Sequence, residues 1–314
     1  MARYLVTGGA GFIGSSIVDE LVRRREEVKV LDDLSSGKKK NLEKVSGKVE
    51  FIEGDIRDPA ALKKALKGCD YVIHQAALRS VPKSLANPQL YDDVNVKGTL
   101  NVLIASHESK IRRVVFASSS SIYGDTVKLP QSEDQIPQPI SPYAATKLAG
   151  EHYCRVFAKS YGLETVALRY FNVFGPRQSL ESEYAVVIPK FATCILMGEQ
   201  PPVDGDGKQS RDFTYVDNVV DANLAAAVRE GISGEVFNIA CGKGYNLLEL
   251  VRILNEIIGK EIKPRFQPPR PGDVKHTLAD ITKMKKLLKF EPKVDFVLGL
   301  RKTVEYFRSV NGNN

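Results

Sequence analysis

Short apolar runs near 3–7, 28–32, 49–53, 70–74, 113–118, 165–169 and 235–240 read as strands. Between them, near 14–25, 59–67, 89–110, 142–162 and 217–230, apolar positions recur at helical spacing. Strands and helices alternating over this length predict an α/β fold, a doubly wound parallel sheet of Rossmann type. The last third reads differently, because Pro201-Pro202, Gly205-Asp206-Gly207 and the stretch 264–272 interrupt its elements. The expected division is a sheet domain from 1–172 and 217–244, with 173–216 and 245–314 as a smaller, mainly helical lobe over the sheet edge. No internal repeat appears, and the tail from Asn311 to Asn314 reads as frayed.

The first strand runs into Gly8-Gly9-Ala10-Gly11-Phe12-Ile13-Gly14, and a helical pattern follows from Ser15. Glycine permits a tight turn and close approach to a pyrophosphate, and the helix start adds free N–H groups and a positive dipole end. The spacing is GxxGxxG, on Gly8, Gly11 and Gly14, and not GxGxxG. The second strand ends in Asp32-Asp33, where an acid accepts from ribose hydroxyls and repels a 2′-phosphate. That favours NAD over NADP. The run Lys38-Lys39-Lys40 speaks for NADP or for a solvated loop.

Tyr143 and Lys147 lie four residues apart, one turn of a helix on one face. A phenol beside an ammonium is a route to a base near neutral pH. Tyrosine needs a shift of roughly 3 units, or about 4 kcal/mol, and a nearby lysine and a cationic cofactor ring are the expected source. The spacing alone is weak, since surface helices carry it by chance. Ligands bind such sheets at the carboxyl ends of the strands, and the glycines, Asp32, Asp55, Ala76-Ala77, Ser119 and the Tyr143 helix all fall there.

The 314 residues suffice for a large α/β domain and a smaller lobe. No apolar run approaches the roughly 18 residues of a membrane span, and the first strand begins too early for a signal peptide. Cys69, Cys154, Cys194 and Cys241 are scattered, as in the reduced thiols of a cytoplasmic protein. The four histidines lack ligand spacing, so no metal site is expected. The net charge of +7 is interleaved with 38 acids and forms no aromatic-studded stripe, which favours an anionic small substrate over nucleic acid.

Three motifs carry a resemblance: Thr7 to Gly14, Arg169-Tyr170-Phe171-Asn172-Val173-Phe174-Gly175, and Arg270-Pro271-Gly272-Asp273. With the Tyr143/Lys147 pair, the chain resembles the extended short-chain dehydrogenases/reductases, specifically the nucleotide-sugar 4-epimerases, nearly end to end. The resemblance implies catalysis by Ser119, Tyr143 and Lys147. It implies an NAD site of Gly8, Gly11, Phe12, Ile13, Gly14, Asp32, Asp33, Ser35 and Gly37, continued by Asp55, Ile56, Gln75, Ala76, Ala77, Tyr143, Lys147 and Tyr170. It implies a UDP-sugar site of Ser80, Ser119, Ser120, Tyr143, Asn172, Ala185, Val186 and Val187, completed by Val203, Arg211, Arg270, Asp273 and Thr277. Arg211 and Arg270 match the family's phosphate-binding arginines, a role that suits a planar fork of donors. Ser118 to Ser121 also read as ordinary strand-end hydroxyls satisfying local N–H groups.

The 4,6-dehydratase relatives carry Thr-Asp-Glu where Ser119-Ser120-Ser121 stand, so dehydration lacks its acid–base pair here. Asn172 matches hexose and hexosamine epimerases, whereas uronic-acid relatives often carry Thr there. Thr277 matches a gate that a bulky Tyr closes to N-acetylated sugars. The stretches 79–84 and 183–190 resemble the UDP-N-acetylglucosamine 4-epimerase subgroup. Arg79 departs from the small residue expected there, and either blocks the pocket or offers a cation to a carboxylate. The leading expectation is a UDP-hexose 4-epimerase that accepts N-acetylhexosamines, with NAD retained between turnovers. A UDP-glucuronate 4-epimerase or decarboxylase and a non-catalytic NAD-binding sensor are the alternatives. By the same resemblance a homodimer is expected, through apolar residues of the helices near 89–110 and 142–162 (Val94, Leu100, Leu103; Leu148, Tyr153, Phe157), which also suit an intrachain core.

Overall fold

The computed structural model describes residues 1–179, 187–269 and 274–311. Seven parallel strands form one sheet: β1 (Arg3–Thr7), β2 (Glu27–Asp32), β3 (Glu50–Glu53), β4 (Tyr71–His74), β5 (Arg113–Ser119), β6 (Glu164–Tyr170) and the edge strand Glu235–Ile239. From that edge strand the order is β6, β5, β4, β1, β2, β3, so the winding reverses between β1 and β4. A crevice opens at such a reversal, beyond the strands' carboxyl ends.

The strands are apolar on both sides because helices cover both faces. Val6, Ile73, Val115 and Leu168 point into one core with Ile17 and Val219, while Leu5, Val72, Val114 and Ala167 point into the other with Leu62, Val102 and Phe157. Neighbours in sequence face opposite cores, as the two-residue period of a strand requires.

Local chemistry starts the helices where the spacing predicts them. Asp58 accepts from Ala60 N (2.8 Å) ahead of Pro59, and Ser141 accepts from Ala144 N (3.2 Å) ahead of Pro142. Helix Leu247–Ile258 opens on a capping box between Asn246 and Glu249 and ends at Gly259, φ +80°.

Segment 173–216 is less helical than expected. Its described residues hold one helix, Val187–Met197, and four short strands that form two-stranded pairs: Val173–Phe174 with Thr214–Tyr215, Pro202–Asp204 with Arg265–Gln267, and Ser210–Asp212 with Gly244–Asn246. These prolines and glycines punctuate ribbons, not helices. Of the residues expected to face a partner subunit, two are buried within the chain. Leu103 and Phe157 are core; Leu100, Tyr153 and Leu148 pack against buried clusters; Val94 lines the crevice. The apolar side chains those helices turn outward are Leu90, Ile104, Val156 and Tyr161.

Candidate active site

A cleft of about 620 Å³ runs along the carboxyl ends of the strands. At β1 the glycines have distinct jobs. Gly8 turns at φ +67°, and a Cβ there would stand 2.6 Å from Ala76 N. A Cβ on Gly14 would stand 2.1 Å from Gly8 O, so only glycine lets the helix Phe12–Arg23 pack onto its own turn. Gly11 meets only Gly8 O, at 3.2 Å, and its open side lines the cleft. No side chain caps this helix, so its first-turn N–H groups stay available to an anion.

At the end of β2, Asp32 accepts from Ala10 N and Leu34 N, one bond per oxygen, each at 2.9 Å. Each oxygen keeps a lone pair for a hydroxyl. Burial pushes this carboxyl up, and the two backbone donors oppose the shift. Asp33 accepts from Ser35 N (2.9 Å) and Oγ (2.6 Å). Gly37 does not line the cleft; it lets the loop close on Asp32, since a Cβ would sit 2.7 Å from Asp32 Oδ1. Lys39 pairs with Glu53 at 2.9 Å, which places that lysine of the basic run on the solvent side. Asp55 and Ile56 line the cleft, and Arg57 (2.6 Å) holds the Asp55 carboxyl low. Gln75 Nε2 donates to Tyr170 OH at 2.9 Å, and Ala76 and Ala77 complete the wall.

At β5 the helix Pro142–Val156 brings Tyr143 and Lys147 to Ser119. Burial raises the Tyr143 phenol; a hydrogen bond with Ser119 and the charge of Arg79 pull it back. The lysine, 5% exposed, donates from Nζ to Ala117 O at 2.8 Å and lies 5.1 Å from the Phe116 ring centroid. Burial brings its ammonium down to about 8. Ser119 Oγ also accepts from Ser121 N (3.2 Å) and Ser121 Oγ (2.9 Å), so it caps the local turn while reaching the phenol. Behind it Ser118 donates to Glu151, whose carboxylate pairs with Arg169 at 2.8 Å, both charges buried.

On the far wall, Asn172 Nδ2 donates to Thr277 Oγ1 and to Asp212 O, each at 3.1 Å, with Asn172 at φ +36°. Arg211 lines the cleft, and its Nη1 donates to Ser210 O (2.9 Å) and Lys275 O (3.2 Å). Ser120 lines the cleft as well. Three residues expected at the substrate lie elsewhere. Val203 is core, at 0% exposure, because its short strand pairs inward with Arg265–Gln267. Ser80 caps the helix Val81–Ala86 through Lys83 N, and Val187 packs on the lobe's core. Ala185, Val186, Arg270 and Asp273 lie outside the described residues. The sequence reading missed Gln131, Gln178 and Ile140, which line the cleft from irregular segments whose periodicity announces nothing.

Residues 4–240 match the model of the NAD-dependent epimerase/dehydratase family. The chain is 40% identical over 309 residues to a putative UDP-glucose 4-epimerase of Methanocaldococcus jannaschii, covering 98% of this chain and 99% of that one. Its structure resembles a UDP-N-acetylglucosamine 4-epimerase from Methanobrevibacter ruminantium M1, solved with UDP-N-acetylmuramic acid. The TM-score is 0.94 at 45% identity, over 98% of this chain and 99% of that one. It also resembles a Thermotoga maritima UDP-glucose 4-epimerase solved with UDP-glucose, with TM-score 0.93 at 42% identity and the same coverage.

Proposed function

The chain belongs to the NAD-dependent epimerase/dehydratase family, and on its site geometry we propose that it is a UDP-hexose 4-epimerase that keeps NAD between turnovers and accepts N-acetylated hexosamines. The observation that carries this reading is one cleft holding a glycine cradle at β1 and the Ser119, Tyr143 and Lys147 set at β5. The cradle at β1 is two strand spacings from β5, and Asp32 at β2 is three, roughly 14 Å, a distance a dinucleotide spans.

The residues present fit such a cofactor. The uncapped helix start and the open side of Gly11 suit its pyrophosphate, and the spare lone pairs of Asp32 suit a ribose diol. When bound there, NAD supplies a reversible hydride acceptor. Tyr143 takes the proton of the sugar's C4 hydroxyl and later returns it, and Ser119 donates to the oxygen that carries the developing charge. Lys147, fixed on Ala117 O, places its ammonium beneath this end of the cleft. Arg211 supplies a donor fork for the UDP diphosphate. Among the described residues lining the cleft, Asp32, Asp33 and Asp55 are the carboxylates, all at the β2–β3 end, so none of these stands beside Ser119 to serve a water elimination. Thr277, held small and in place by Asn172, leaves room for a 2-acetamido group.

In this reading residues 1–172 and 217–244 bind NAD, while 173–216 and 245–314 bind the sugar nucleotide. The protein works in the cytoplasm as a homodimer, whose contact is the outward apolar set Leu90, Ile104, Val156 and Tyr161; a monomer by light scattering removes that contact.

The test is interconversion of UDP-glucose with UDP-galactose, and of UDP-N-acetylglucosamine with its C4 epimer, by purified protein without added NAD. No turnover of any UDP-hexose overturns the reading. Tyr143→Phe should lower kcat by about a hundredfold or more while leaving bound cofactor unchanged.

A further inference from the structure

We propose that Arg79 forms an anion subsite at the sugar end of the cleft, through which the protein binds nucleotide sugars bearing a carboxylate on the sugar as well as their diphosphate. The inference rests on the nucleotide-sugar reading above and narrows its substrate class.

Arg79 is exposed and lines the cleft together with Tyr143, Ser119 and Ser120. Among the described residues its guanidinium has no hydrogen-bond or ion-pair partner. The other described cations of the cleft already donate to backbone carbonyls, and Arg211 is assigned above to the diphosphate. Lys147 donates to Ala117 O at 2.8 Å, and Arg211 donates to Ser210 O at 2.9 Å. The described acids of the cleft, Asp32, Asp33 and Asp55, sit at the β2–β3 end, and none of them forms an ion pair with Arg79. Five donors in a rigid fork, open to a ligand cavity and unmatched among the described residues, are complementary to a carboxylate.

The backbone around this arginine is built to hold it there. Buried Asn95 grips the preceding residue twice, accepting from Leu78 N (2.8 Å) and donating to Leu78 O (2.9 Å). Buried Tyr91 accepts from Ser80 N through its hydroxyl at 3.0 Å. Asn95 Nδ2 also donates to Thr146 Oγ1 (3.0 Å), which donates to Tyr143 O (2.8 Å). The segment bearing Arg79 is therefore tied to the helix bearing the catalytic phenol. That chain of bonds sets the Arg79 segment at the end of the cleft that holds the Tyr143 phenol.

The test measures calorimetric affinities of the cofactor-bound protein for UDP, UDP-glucose and UDP-glucuronate, in the parent, Arg79→Ala and Arg79→Lys. A charge-assisted pair predicts that the preference for UDP-glucuronate over UDP-glucose falls about tenfold or more in Arg79→Ala. Arg79→Lys should restore part of it, with UDP affinity unchanged in all three. An unchanged preference in Arg79→Ala overturns the proposal, and so does an equal loss for all three ligands, which would place Arg79 on the diphosphate. Failure of UDP-hexose interconversion in the parent sinks the epimerase reading alone, because the affinity ratio is read without turnover.

Discussion

Replacing Lys147 with methionine should make the cofactor-free protein more stable while stopping its chemistry. The ammonium is 5% exposed, and burial brings it from 10.5 down to about 8. A shift of about 2.5 units corresponds to roughly 3 kcal/mol. The sign follows from linkage. A lysine whose folded-state value is depressed costs the native state that energy below about pH 8, where both states are charged. The cost fades as pH rises from about 8 towards the unfolded value, because only the unfolded chain still holds the proton. Methionine has similar length and no charge, so it removes the cost and loses one hydrogen bond to Ala117 O, about 1 kcal/mol. The net gain is about 2 kcal/mol at pH 7, and it should shrink to below about 1 kcal/mol near pH 9.5, where most of the cost has gone. Urea denaturation of the cofactor-free parent and variant at the two pH values measures this. Cofactor must be removed, since bound ligand stabilises the two proteins unequally. A Lys147→Met protein less stable than its parent at pH 7, or a difference that ignores pH, refutes the reasoning.

Three further outcomes follow from the same geometry. Gly14→Ala sets a Cβ 2.1 Å from Gly8 O and should strip bound NAD from the purified protein, read by absorbance after denaturation; full occupancy would contradict the cradle. Thr277→Tyr should close the gate, cutting turnover of UDP-N-acetylglucosamine about tenfold or more relative to UDP-glucose, with equal losses counting against it. Glu151→Leu leaves the buried Arg169 charge without its partner and should cost about 3–5 kcal/mol in denaturant unfolding, whereas a cost under about 1 kcal/mol would show that water or another group compensates.

The site was legible where local rules constrain single residues. The glycine turn, Asp32 and the Tyr143/Lys147 spacing each announce their geometry through steric or helical periodicity, and all line one cleft. Val203 was misplaced because an apolar residue beside Pro202 looks the same whether its strand faces the cleft or the core. Leu103 and Phe157 misled for a related reason: helical spacing shows that a face is buried, not which surface buries it. Gln131 and Gln178 gave no signal, since they sit in loops that only long-range contacts place.

By itself the chain determined its alternation of strands and helices, its glycine turn and the placing of Tyr143 and Lys147 on one helix face, because hydrophobic period and glycine sterics act within a few residues. Tertiary structure alone decided which cations are spoken for. Lys147 turns to Ala117 O and Arg211 to carbonyls of the far wall, while Arg79 faces the cleft without a partner among the described residues. Charge pairing depends on through-space distance and desolvation, and neither is written in the spacing of residues along a chain.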